Sequence, residues 1–195
     1  MSKIIVATTW LIFSLVGISG AEVIGEIDSA RGFFSIGVMY LDDDAPQISE
    51  KWVEPEITSE IRSDYPNGNA SVIIITKIRD DLPKDDSILE RVKNKNIPLQ
   101  KMHGDKRVSI TEKKSSNSKV LQVVFKEITY DEFTPYGLGF TKSESIGVSQ
   151  YIVKKGFLVE FFTFIKNNSK TPFTEIEPVI IELCDEFRDS FKIEI

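Results

Sequence analysis

Residues 146–165 read IGVSQYIVKKGFLVEFFTFI, two runs of β-branched and aromatic residues separated by the turn 154–156. Such runs are typical of strands, and the glycine of the turn takes the positive φ angle that a tight hairpin loop requires. The segment therefore predicts a β-hairpin. A three-residue turn sets Gln150 opposite Glu160, whereas a two-residue turn sets Tyr151 there. Either neighbour can donate a hydrogen bond to the carboxylate, which is costly to half-bury without one.

The rest of the chain repeats this pattern of apolar runs and turns. Asparagine, glycine and serine clusters separate several of the runs, which favours hairpins. Trp52 is assigned to a connection between strands. The predicted architecture is an α+β fold in which an antiparallel sheet of about six to seven strands is flanked by two helices. Besides the opening hairpin, the predicted strands are residues 33–41, 56–63, 71–78, 107–113 and 120–130.

Two segments change to the helical period. A helix is predicted from the N-cap residues 85–87 to a point before Pro98. A second, amphipathic helix is predicted near the C-terminus, with Thr174 and Glu177 as a capping box. The loop 131–140, which is rich in aromatic residues and glycine, is predicted to be irregular. The apolar stripe of the second helix consists of Ile176, Val179, Ile180, Leu183, Phe187 and Phe191.

The N-terminus has the pattern of a secretory signal peptide. Lys3 precedes an uncharged apolar run, and small residues follow at 19–21. We predict that residues 1–21 are a cleavable signal peptide, cut after Ala21 or one residue earlier, and that residues 22–195 form a single globular domain. The alternative is an uncleaved membrane anchor. The expected location is periplasmic or secreted, with membrane contact only in transit through the signal peptide.

The sequence offers little support for the common catalytic chemistries. It contains one cysteine, Cys184, and one histidine, His103, so neither a disulfide nor a zinc site built from this chain alone is expected. There is no G-x-S-x-G, no P-loop and no G-x-G-x-x-G before a helix. The aspartates at 42–44 lack the spacing of an EF-hand. We predict no catalytic residue, no metal site and no cofactor.

Charge is unevenly distributed along the chain. The formal net charge is −6, yet residues 91–114 carry eight cations against two acids. This segment is either a solvated helix end with its loop or a surface for an anionic partner. The second interpretation predicts an exported, non-enzymatic accessory or interaction module that binds a protein or an anionic surface, and no nucleic acid. An alternative contact surface is the aromatic segment 134–140. The candidate partner-binding residues are Lys93, Lys101, Lys106 and Arg107.

The sequence leaves two alternative functions open. The first is a carrier that holds a small apolar ligand between sheet and helix near Tyr136, Phe162 and Phe164, although the same residues also suit a core. The second is a hydrolase that uses Glu160 with another carboxylate, but no partner for it is identifiable by spacing.

The C-terminal half resembles the PsbP-like exported proteins. The pattern consists of two hairpin strands ending in GFLVEFFTFI, a short linker and a helix ending in FRDSFKI, within residues 107–195. Near the start of the chain, the segment GFFSI and Trp52 resemble the same family more weakly. The resemblance implies an antiparallel sheet flanked by helices in an accessory or interaction module, and it carries no catalytic motif over to this chain.

Overall fold

The computed structural model describes residues 22–28, 34–40, 46–53, 58–66, 68–83, 86–115, 118–134, 137–167 and 172–193. The predicted signal peptide lies outside the described residues, as do the aspartates at 42–44 and Tyr136. The helices are α1 (Ser87–His103) and α2 (Phe173–Asp189). The strands are β1 (Glu22–Asp28), β2 (Phe34–Tyr40), β3 (Gln47–Val53), β4 (Thr58–Asp64), β5 (Ala70–Lys77), β6 (Val108–Ser115), β7 (Ser118–Thr134), β8 (Gly137–Lys154), β9 (Phe157–Asn167) and β10 (Lys192–Ile193).

Seven strands form one antiparallel sheet in the order β3-β4-β5-β9-β8-β7-β6, and three form a second sheet in the order β1-β2-β10. The α+β prediction, with its antiparallel sheet and two helices, is confirmed. The second sheet was not predicted. Trp52 belongs to β3 and not to a connection, so that assignment was wrong. β3 is an edge strand with a polar sequence, and it therefore lacks the hydrophobic alternation that reveals a half-buried strand.

The hairpin of β8 and β9 has the two-residue turn. Lys154 pairs with Phe157, and Tyr151 pairs with Glu160. Lys155 and Gly156 have φ angles of 49° and 81°. Positive φ at both central positions is the geometry whose twist matches that of the flanking strands, which explains why the shorter of the two possible turns forms.

The β7–β8 hairpin is longer than predicted. Its pairing continues to Thr134 opposite Gly137, with one irregularity between Asp131 and Phe133. The prediction of an irregular loop over 131–140 was therefore wrong. Within the described residues, β6 pairs with β7 as far as Phe125 and β9 pairs with β8 as far as Glu144, so the end of the hairpin extends past the described parts of both neighbours as a two-stranded ribbon.

Both helices differ from prediction at one end. α1 continues through Pro98 to His103 and ends at Gly104, whose φ is 78°. Pro98 is exposed, so water can bind the carbonyl that the proline leaves without its helical partner. At α2 no side chain caps the first turn, so the predicted Thr174–Glu177 capping box was wrong. Glu177 instead forms an ion pair with Lys126 on β7.

The large sheet has two differently covered faces. The face that carries Val159, Phe161 and Ile165, here called the inner face, packs against α2 and the small sheet in one core cluster. The opposite, outer face carries Glu160 and Phe162, and α1 contacts its β6, β7 and β8 side. The predicted stripe of α2 is buried, and its last member, Phe191, lies just beyond the end of the helix. Neither described helix combines the length and hydropathy needed to cross a bilayer.

Candidate functional site

Three of the four predicted partner-binding residues lie where α1 ends. Lys101, Lys106 and Arg107, here called the basic end of α1, are exposed, and none forms an ion pair within the described residues. The backbone that carries them is well held. The amides of Arg107 and Val108 both donate to Gly104 O at 3.0 Å, and Lys126 N donates to Arg107 O at 2.7 Å. The cations therefore project into solvent from the last turn of α1 and from the ordered turn that follows it.

Lys93 has a different role. Its ammonium forms an ion pair with Glu112 on β6, and Lys119 Nζ lies 2.8 Å from the other oxygen of the same carboxylate. Hydrogen bonds from Lys119 and Lys93 lower the pKa of Glu112 to about 2. Lys119 also lies 3.3 Å from Glu90 on α1. This cluster ties α1 to the sheet, and the structure thus separates Lys93 from the basic end of α1.

Two apolar side chains accompany the exposed cations. Leu99 is 37% exposed and Met102 is 72% exposed. Both lie on the solvent side of α1, whereas the side that faces the sheet holds the buried Ile88 and Leu89. Neither residue was predicted at the surface, because the predicted helix ends before Pro98. Extension of the helical period past the proline is the signal that would have placed them on the surface.

Glu160 lies on the outer face and is satisfied within the sheet. Its Oε1 accepts hydrogen bonds from Tyr151 Oη at 2.8 Å and from Ser149 Oγ at 3.1 Å. The prediction that its cross-strand neighbour donates a hydrogen bond is confirmed. Burial, with the nearby negative charge of Glu160 as the next cause, raises the pKa of Tyr151 well above its ordinary value of 10.0. A neutral phenol is thus kept as a donor to a carboxylate.

The two predicted pocket residues inside the described part of the chain also lie on the outer face. Phe162 and Phe164 are half-buried. The Phe162 ring covers Gly147 on β8, where an added Cβ would come within 3.2 Å of the ring. Tyr136, the third predicted residue, lies outside the described residues. The proposed apolar pocket therefore stays a prediction.

The inner face carries a polar network that sequence analysis missed. Arg188 on α2 is only 4% exposed. Its guanidinium donates to Gln150 Oε1 and Ser115 Oγ, at 3.0 and 3.1 Å, and to the carboxylates of Asp185 and Asp189. The amide of Gln150, itself fully buried, donates to Gln122 Oε1 and to Asp185. Two glutamines at inward-facing strand positions were the available signal.

A cleft of about 140 Å³ opens beside this network. Its floor is apolar and its rim is polar. Lys154 lies at the rim, where its Nζ donates to Phe191 O at 3.0 Å and lies 5.6 Å from the centre of the Phe191 ring. The lining residues are Ser115, Ser118, Val120, Ile152, Lys154, Arg188, Asp189 and Phe191.

The described part of the chain offers neither a reactive thiol nor a cluster of metal-ligating side chains. Cys184 is buried in α2, and burial raises the pKa of its thiol to about 12, which keeps the thiol protonated. Among the described residues, no group of three or more histidine, cysteine, aspartate or glutamate side chains could hold a metal ion.

Comparison with protein-family models gives no match, and a search of curated proteins gives none either. The resemblance to PsbP-like proteins therefore stays a prediction.

Proposed function

We propose that this protein is an exported, non-enzymatic interaction module that binds an anionic partner through the basic end of α1. The observation that carries the proposal is the contrast among the four predicted cations. Lys93 is neutralised by carboxylates, whereas Lys101, Lys106 and Arg107 are exposed without an ion pair in the described structure. Solvated cations on an ordered turn attract an anionic surface at little cost, because no existing ion pair must be broken.

The exposed Leu99 and Met102 support an interface at the same place. A contact that pairs charges at its rim also needs apolar area at its centre. These two side chains supply such area within one helical turn of Lys101, and the partner expected is therefore an acidic protein face with an apolar patch. Export is proposed from the sequence of residues 1–21.

The binding proposal is tested with a defined polyanion. The triple variant K101E/K106E/R107E and the wild-type protein are compared on immobilised polyglutamate in a salt gradient. The wild type should be retained at low salt and released as salt screens the charges, whereas the variant should not be retained. The control is K51E/K77E/K166E, which makes the same change in net charge at exposed residues elsewhere. Equal loss of retention in both variants would show that net charge, not the basic end of α1, governs binding.

Export has its own test. Intact-mass measurement of the protein from its native host should give a chain that starts at Glu22 or Ala21. A full-length chain that sediments with membranes would instead establish the anchored form.

The carrier function is a second proposal with a specific basis. Phe162 and Phe164 remain partly exposed on the outer face, where a small apolar ligand would cover them. Native mass spectrometry of protein purified without denaturation should then show a stoichiometric adduct. A bare mature chain would remove this alternative.

A further inference from the structure

We propose that the cleft beside α2 is a binding site for a small carboxylate with a short apolar body, and that Lys154 is the residue that holds the carboxylate. The site is separate from the basic end of α1 and does not depend on the function proposed above. The inference rests on four features of the cleft: its size, its floor, the state of Lys154 and the local charge.

Size and floor define the body of the ligand. A cavity of about 140 Å³ is close to one that accommodates a benzene-sized molecule, roughly 150 Å³. The floor is lined by Val120, Ile152 and Phe191, of which Ile152 and Phe191 keep a small exposed area. These side chains offer contact to a hydrocarbon chain of a few carbons. Inorganic anions would leave this apolar floor without a partner.

Lys154 defines the charge of the ligand. Its ammonium makes one hydrogen bond, to Phe191 O, and forms no ion pair among the described residues. An ammonium has three donors, so two remain for a ligand. The Phe191 ring and carbonyl fix its position, which reduces the entropy lost when a ligand binds. The side chain of Ser118, at the same rim, has no hydrogen-bond partner within the described structure and adds a further donor.

Arg188 shapes the wall of the cleft and, unlike Lys154, has no free donor for a ligand. Its Nε donates to Asp189, and its two terminal nitrogens donate to Gln150, Ser115 and both aspartates. All five N–H groups are thereby accounted for, so Arg188 cannot bind a ligand directly without giving up a partner. It instead fixes Ser115 and the Asp189 carboxylate at the wall of the cleft.

The local charge favours an anion. The network and the rim contain three cations, Lys113, Lys154 and Arg188, against Asp185 and Asp189. Arg188 forms ion pairs with both aspartates. Lys113 also pairs with Asp185, and its Nζ lies 2.7 Å from Asp185 Oδ2. Among the described residues of the network and the rim, one positive charge is left over, on Lys154. A carboxylate placed beside it completes the pairing.

The test uses butanoate as the probe, with the chain folded and intact, and follows amide chemical shifts in a titration. Wild type should bind butanoate with a millimolar or lower dissociation constant, and the shifts should be centred on residues of the cleft. Lys154→Met should weaken binding at least tenfold. Lys154→Arg, which restores the charge, should recover most of it. The matched control is Lys155→Met, because Lys155 is the next residue and its Nζ binds Ile193 O instead.

Two other probes separate the parts of the proposal. Butylammonium has the same apolar body with the opposite charge and should not bind; binding equal to that of butanoate would overturn the role of Lys154. Inorganic phosphate has charge without the apolar body and should bind more weakly than butanoate; tighter binding would overturn the role of the floor. Absence of butanoate shifts in the wild type would overturn the site as a whole. Equal loss in the Lys154 and Lys155 variants would do the same.

Discussion

Arg188 occupies a position in α2 where the amphipathic pattern calls for an apolar side chain. It is tolerated there because its planar fork of donors reaches partners on α2 itself, on β6 and on β8. A lysine offers three donors from one point and cannot reproduce this spread. The guanidinium thus joins three elements at a single residue.

Replacement of Arg188 by methionine should lower the free energy of unfolding by about 3 kcal/mol, since removal of one partner leaves a buried network uncompensated. Gln150 and Asp185 would each lose a donor in the protein interior. Urea denaturation followed by circular dichroism measures the change. As a control, Arg62→Met removes an ion pair whose arginine side chain is 47% exposed, and should cost less than about 1 kcal/mol. Similar losses in the two variants would mean that the network does not stabilise the fold.

The hydrogen-bonded pair Tyr151 and Glu160 predicts a shift in the pKa of the tyrosine that can be measured. Glu160→Gln removes a negative charge beside the phenol, so the pKa of Tyr151 should fall, yet stay above its ordinary value because burial is the larger cause. Alkaline titration of the tyrosine resonances measures it. Because the folded pKa is raised, the stability contributed by Tyr151 is present below about pH 10 and is lost as pH rises through that folded pKa. Glu60→Gln, on the same face without this hydrogen bond, should leave the titration unchanged.

At the scale of elements, local rules explain some of the structure and long-range contacts the rest. The β8–β9 hairpin was predictable from residues 146–165. The two-residue turn at Lys155-Gly156 forms because its backbone twist matches the twist of the two flanking strands. The continuation of α1 through Pro98 is marked in the sequence only by the helical period past the proline, and whether the helix continues also depends on which side of it faces water. The two inward-facing glutamines indicate a buried polar network, but they do not identify Arg188 and Ser115 as its members, since these two residues lie 73 positions apart in sequence.

The tie between α1 and β6 predicts a pH dependence. Glu112 has a folded pKa of about 2 against an ordinary value of 4.5, because Lys119 and Lys93 donate to it. Its stabilising contribution is therefore present above about pH 4.5 and is lost as pH falls toward 2. The stability difference between wild type and Glu112→Gln should shrink over that interval. Urea midpoints measured from pH 6 to pH 2 test this expectation.

The matched control for this series is Glu127→Gln. Glu127 is exposed on β7 and forms no ion pair within the described residues. Its variant should run parallel to the wild type across the acid range. A Glu112 variant that also runs parallel would show that the ion pairs contribute nothing to stability in solution.

At the scale of the whole molecule, the two sheets share one core through α2 and the residues that follow it. The Phe191 ring packs at a tilt against Phe34 of the small sheet, with 5.9 Å between ring centres, and edge-to-face against Phe161 of the large sheet, with 5.5 Å between ring centres. Gly37 on β2 has no side chain, and this allows Val23 of β1 and Ser190 at the end of α2 to approach the backbone of β2 closely. An added Cβ there would lie 2.5 Å from Val23 and 3.0 Å from Ser190 at the end of α2. The small sheet is thus attached to the large one by packing, with no strand shared between them.

This arrangement predicts that the two sheets unfold together. Phe161→Ala removes a buried ring that also packs edge-on against Phe187, and should cost about 3–5 kcal/mol. Native-state hydrogen exchange should then show the same loss of protection for amides of β2 and of β9, because both depend on one core. Phe164→Ala, on the half-buried outer face of the same strand, should cost clearly less and serves as the control. If β2 amides exchange independently of the Phe161 variant while β9 amides respond, the small sheet is a separate unit and the shared core does not couple it to the large sheet.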